Sequence, residues 1–109
     1  MQAVLTVKCL ENAVHSGDSG GVAPDSFMIL RQLFDRLEDS KTGKVIDELQ
    51  PEIPPHRYEE IFNCSRLLGK QVLERSFVKG GKPLNQDPFQ SMLTLSWRPT
   101  LAYTGLFQP

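Results

Sequence analysis

The sequence predicts an α+β domain: a small sheet with helices packed on one face. Three observations point there. A β-branched segment with a partial period of two, Ala3 to Leu10, opens the chain. An apolar stripe at helical spacing follows it: Phe27, Leu30, Leu33, Phe34 and Leu37. A second strand-like run, Thr100 to Thr104, lies near the end.

In the first strand Ala3, Leu5, Val7 and Cys9 share one face, while Val4 and Leu10 are apolar on the other. Glu11 to Ala23 reads as a polar, glycine-rich loop. Pro24-Asp25-Ser26 is a helix entry, with Asp25 or Ser26 as N-cap. The helix ends before Ser40-Lys41-Thr42-Gly43. Lys44-Val45-Ile46 forms a short strand. Leu49 to Pro55 carries three prolines and is neither regular helix nor central strand.

Arg57 to Leu73 reads as a second helix, with Tyr58, Ile61, Leu68 and Val72 roughly on one face. Gly69 weakens its continuity by about 1 kcal/mol relative to alanine. Gly80-Gly81-Lys82-Pro83 breaks the chain. Asp87-Pro88 is an N-cap followed by an N1 proline. Phe89, Met92 and Leu93 are the expected buried side of a short third helix.

The 109 residues suffice for one small domain, 1–109, with one modest core. Twelve basic and thirteen acidic residues are well mixed, and the net charge is −1. That balance supplies no electrostatic footprint for nucleic acid or an anionic membrane. No apolar run approaches the ~20 residues of a membrane span. Met1 to Leu10 lacks the pattern of a secretory leader, so a cytoplasmic location is expected. Cys9 and Cys64 are then expected as free thiols.

Residues 14–24, Val-His-Ser-Gly-Asp-Ser-Gly-Gly-Val-Ala-Pro, are the most informative stretch. They bring a titratable ring and bare backbone N–H groups to one place. His15 is the candidate site residue: a donor gripping a substrate carbonyl, or stabilising oxyanion charge. The competing reading is a surface histidine beside a glycine turn. Gly17, Gly20 and Gly21 could face an anion, but their spacing is not that of a phosphate loop. Positive φ in a tight turn explains them better. Ser16, Ser19 and Asp18 lie too near His15 in sequence to form a hydrolytic triad with it. His56 has no spaced partner for a metal. Glu59 and Glu60 suit the first turn of a helix. Trp97-Arg98 fits a binding hot spot or core packing equally well.

His15-Ser16-Gly17, Gly20-Gly21 and Pro24 before a Leu-rich helix resemble the opening of the lid (dimerisation) domain of zinc-dependent aminoacylase/carnosinase/dipeptidase metallopeptidases. Trp97-Arg98-Pro99-Thr100-Leu101 with Thr104-Gly105 resembles a late strand of that domain. Lys44 to Glu60 matches the family's proline-containing segment only loosely. The resemblance implies an incomplete ferredoxin-like β-α-β-β-α-β lid with a helical insertion. It implies that His15 reaches substrate in an active site between lid and catalytic domain, often that of the partner subunit. It also implies zinc in a separate catalytic domain, a peptide or N-acyl amino acid substrate, and a homodimer. No His-x-Asp occurs and Glu59-Glu60 is explained by a helix start, so nothing matches the family's metal-ligand and general-base motifs; no cofactor is expected in this chain and no activity from it alone. The alternative is a stand-alone module that associates through an exposed sheet edge.

Overall fold

The computed structural model describes residues 1–106. Four α-helices form among them: α1 (Ser16–Ser19), α2 (Ser26–Asp35), α3 (Pro55–Leu68) and α4 (Pro88–Ser96). Two 3₁₀ segments, Asp47–Leu49 and Gly69–Leu73, join the set.

The expected α+β class is not what forms. Among the described residues there is no sheet, only the isolated bridges Gly20–Ala23 and Glu38–Val45. The incomplete ferredoxin-like lid is therefore overturned, and the protein is helical with long irregular connections. The physical reason lies in what a strand needs. Ala3–Leu10 and Thr100–Thr104 have strand-forming residue types, but strand propensity mostly measures fit to a pleated, half-buried neighbour surface. Neither segment finds a ladder partner, and both run without regular structure. The Lys44–Ile46 strand shrinks to the single bridge at Val45.

The chain divides into two units, residues 1–37 and 38–109. In the first, Val7 and Cys9 are half-buried while Val4 is 90% exposed. Helix α2 starts where expected. Asp25 caps it, its Oδ1 accepting the Phe27 N–H at 3.0 Å. The stripe is also in register, since Leu30, Leu33, Phe34 and Leu37 are all half-buried. Phe27 departs from it and is exposed. No residue of α2 is fully buried, because no sheet lies beneath it.

The second unit begins with a tight turn. Asp39 Oδ1 accepts the N–H groups of Lys41 at 2.7 Å and Thr42 at 3.0 Å. Gly43 adopts φ +74°, and its N–H closes the turn on the Asp39 carbonyl at 2.8 Å. This delivers Val45 to the core, where it is 2% exposed. Helix α3 starts at Pro55, since a proline at the first position lacks only an N–H that has no helical partner anyway. It stops at Gly69, whose φ of +55° and ψ of −134° only glycine adopts readily. The expected single helix to Leu73 thus becomes an α-helix and a 3₁₀ segment. Asp87 caps α4, accepting the Phe89 N–H at 3.0 Å, with Pro88 at N1 as expected.

Helix α4 packs on α3 and on the Gly69–Leu73 segment. Phe62 and Phe89 meet edge to face at 5.5 Å. Leu93 is fully buried and Ile61 8% exposed. Ser65 is buried beside them, its hydroxyl donating to the Phe62 carbonyl at 2.7 Å. Tyr103 donates its hydroxyl to Glu38 Oε1 at 2.6 Å, tying the late segment to the opening turn.

Val45, Ile61 and Leu93 are the only buried apolar residues among those described. The chain leaves 9555 Å² accessible. A folded body of 109 residues exposes about 6,100 Å², and two separate bodies of 37 and 72 residues only about 7,200 Å². The excess holds however the two units are arranged. No helix among the described residues is long and apolar enough to cross a membrane.

Candidate functional site

The loop around His15 folds into a self-contained cassette within the first unit. His15 sits in extended backbone, φ −69° and ψ 135°, as the N-cap of α1. Its Nδ1 accepts the Gly17 N–H at 2.9 Å. Its carbonyl accepts the Asp18 N–H at 3.0 Å. Serine, threonine, aspartate and asparagine are the usual caps; here an imidazole takes the place, and the ring is thereby oriented.

Each glycine has its own reason. A Cβ on Gly17 would lie 2.9 Å from His15 Nδ1 and 3.0 Å from Cε1, so a larger residue there would push the ring out of this position. A Cβ on Gly20 would lie 2.6 Å from the Ser16 carbonyl oxygen, which accepts the Gly20 N–H at 2.8 Å. Gly21 adopts φ +81° and turns the chain toward α2. The glycines therefore shape the loop, as the turn reading expects.

The cap sets the chemistry of the ring. A neutral imidazole has one N–H donor and one bare nitrogen. With Nδ1 accepting from Gly17, the proton resides on Nε2. His15 is exposed, and Nε2 has no hydrogen-bond partner among the described residues. The site can donate a hydrogen bond to an oxygen that approaches it. It has no general-base partner: Ser16, Asp18 and Ser19 are all on α1, and the Nδ1 acceptor is spent on backbone.

The remaining candidates are dispersed. His56 is exposed in the first turn of α3. Glu60 pairs with Arg57 at 2.8 Å, and Glu59 faces solvent. Trp97 and Arg98 are half-buried after α4, with Arg98 Nη1 3.4 Å from Thr94 Oγ1. Cys9 and Cys64 are free thiols. Among the described residues no three His, Cys, Asp or Glu side chains stand together as metal ligands.

Within the second unit an open groove of about 1170 Å³ runs past Val45, Tyr58, Arg75, Leu84, Leu95 and Arg98. Small-molecule pockets span roughly 300–1,000 Å³ and converge a few polar groups on the ligand. Here the polar groups hold each other. Lys44 pairs with Asp47 at 2.9 Å, and Gln50 donates to the Val45 carbonyl at 2.9 Å. Leu84 and Leu95 on its rim are 82% and 72% exposed. The groove is an uncovered face more than a ligand pocket.

Two features escape a reading by residue type. One is the Asp39 turn, whose Asp-Ser-Lys-Thr-Gly pattern carries the signal of an aspartate bonding backbone two and three residues on. The Thr42 N–H, then the Lys41 N–H, hold the Asp39 carboxyl below the usual carboxylate range. The other is the imidazole cap, hidden because histidine is not a favoured capping residue. In comparisons with known proteins, no family model and no curated protein matches the chain.

Proposed function

We propose that the chain is the lid and subunit-association segment of a zinc metallopeptidase acting on dipeptides or N-acyl amino acids. His15 contributes a substrate-gripping donor, and the segment itself does not turn over substrate. The observation that carries this is the cassette: the His-Ser-Gly motif presents an exposed Nε2–H, the group needed to hold a carbonyl or oxyanion.

The large uncovered surface suits a segment that works against another protein body. The partners are the enzyme's own catalytic domain and a second subunit. The zinc implied by the resemblance belongs to the catalytic domain. A stand-alone module using a sheet edge has less support, because no sheet edge exists among the described residues.

The test is hydrolysis by the natural polypeptide that carries this segment. A panel of dipeptides and N-acyl amino acids is assayed with and without a chelator, beside the 109-residue chain. Chelator-sensitive hydrolysis by the natural polypeptide, with none from the chain alone, is expected. A natural polypeptide that hydrolyses none of the panel, or is indifferent to the chelator, overturns the proposal.

A further inference from the structure

We infer that Gly17 is a positioning residue for His15: it fixes the neutral ring as the Nε2–H tautomer and so leaves that N–H as the donor to a substrate oxygen.

Three observations converge. The Gly17 N–H donates to Nδ1 at 2.9 Å, which excludes a proton on Nδ1 in that geometry. The ring lies so close that a Cβ at position 17 would approach Nδ1 and Cε1 to 2.9 and 3.0 Å, closer than non-bonded carbon tolerates. The helix that carries Gly17 is only four residues long and is stopped at once by Gly20. No residue of α1 is buried, so its geometry is set by these local bonds and not by packing. Residue 17 therefore acts twice, supplying the N–H and leaving room for the ring.

The functional value follows from electrostatics. A donor aimed in advance stabilises developing oxyanion charge without reorganising during the reaction. A ring free to exchange tautomers would spend part of its time presenting a bare nitrogen to that oxygen. This assignment of a substrate oxygen rests on the function proposed above; the tautomer itself does not.

The test separates the two. The full chain is labelled with ¹⁵N in histidine, and the ring nitrogens are read by two- and three-bond couplings above the imidazole titration. The Nε2–H to Nδ1–H ratio of His15 should exceed that of blocked histidine in the same buffer by about three- to ten-fold, the equivalent of one net hydrogen bond. Gly17→Ala should return the ratio to that of blocked histidine. His56, exposed on α3, serves as the internal reference and should not change. A native ratio equal to that of blocked histidine overturns the inference, and so does a Gly17→Ala chain that keeps the native ratio. His15→Asp then divides capping from donation, because a carboxylate caps the turn and has no N–H to donate. In the natural polypeptide, His15→Asp should lower kcat at least as far as His15→Ala, about 10²–10³-fold. Equal turnover by His15→Asp and wild type would leave the tautomer in place and remove its catalytic meaning.

Discussion

Replacement of Leu93 by alanine should come close to unfolding the second unit. Among the described residues Leu93 is the one large side chain with no exposed surface, and it lies on α4, which packs against α3. Full burial means the whole transfer term is lost and a cavity is left, about 2.7–5 kcal/mol for leucine to alanine. The reserve is small. At about 0.05–0.15 kcal/mol per residue, 72 residues hold roughly 4–11 kcal/mol. With only Val45, Ile61 and Leu93 as buried apolar residues among those described, the low end applies. A loss of about 3 from about 4 kcal/mol drops the folded-to-unfolded ratio from ~10³ to below ~10. Trp97, the single tryptophan, follows α4 directly and reports on this unit alone. Its emission during urea unfolding should show the midpoint falling by about 3 M, taking an m-value near 1 kcal/mol/M for so small a unit. Leu93→Met conserves volume and should cost less than about 1.5 kcal/mol. A Leu93→Ala midpoint within about 0.5 M of wild type, at unchanged m, would refute the α3–α4 core.

Leu30→Ala, on the half-buried stripe of α2, should cost only about 1–2 kcal/mol by circular dichroism melting; a loss as large as that at Leu93 would mean the helix has a buried face after all. Gly69→Ala meets nothing within 4 Å, so its cost is purely conformational, about 1–3 kcal/mol from the φ of +55°, and an unchanged Tm would contradict the α3 stop. Asp39 has a carboxyl pKa lowered in the fold by the Thr42 and Lys41 N–H groups. Its stabilisation is therefore present above the unfolded value near pH 4 and is lost as pH falls through the lowered folded value. Carboxyl ¹³C titration should place Asp39 below an unstructured aspartate peptide, and a midpoint at or above that peptide's counts against the turn.

What could be read in the sequence was whatever forms within a few residues. Asp25 before Phe27, Asp87 before Pro88, and Gly69 after a 14-residue helix each act through a backbone bond or a dihedral of their own neighbourhood. These signals survive in any tertiary setting; the structure places the two aspartate caps as expected, and at Gly69 it ends a helix that the sequence reading carried on to Leu73. The apolar stripe of α2 also kept its register, since periodicity is a property of the helix itself. The strands failed for the opposite reason. Ala3–Leu10 has β-branched residues in partial alternation, but pairing requires a neighbour far along the chain. Nothing in the alternation of Leu5, Val7 and Cys9 says that such a neighbour will be there.

The same distinction explains why the His15 loop forms without a sheet around it. The bonds that orient His15 span two to four residues: Gly17 N–H to Nδ1, Asp18 N–H to the His15 carbonyl, Gly20 N–H to the Ser16 carbonyl. None requires a sheet or a buried core, so the cassette forms while the strand before it stays unpaired. A short-range device of this kind tolerates a change of surroundings. It can present the same Nε2–H donor whether the apolar faces of α2 and of the second unit are bare or covered by a larger enzyme. By contrast, the groove with Leu84 and Leu95 on its rim gains definition only when something covers it. The role proposed for His15 calls for this division: a pre-set donor in the loop, and adaptable apolar surface elsewhere.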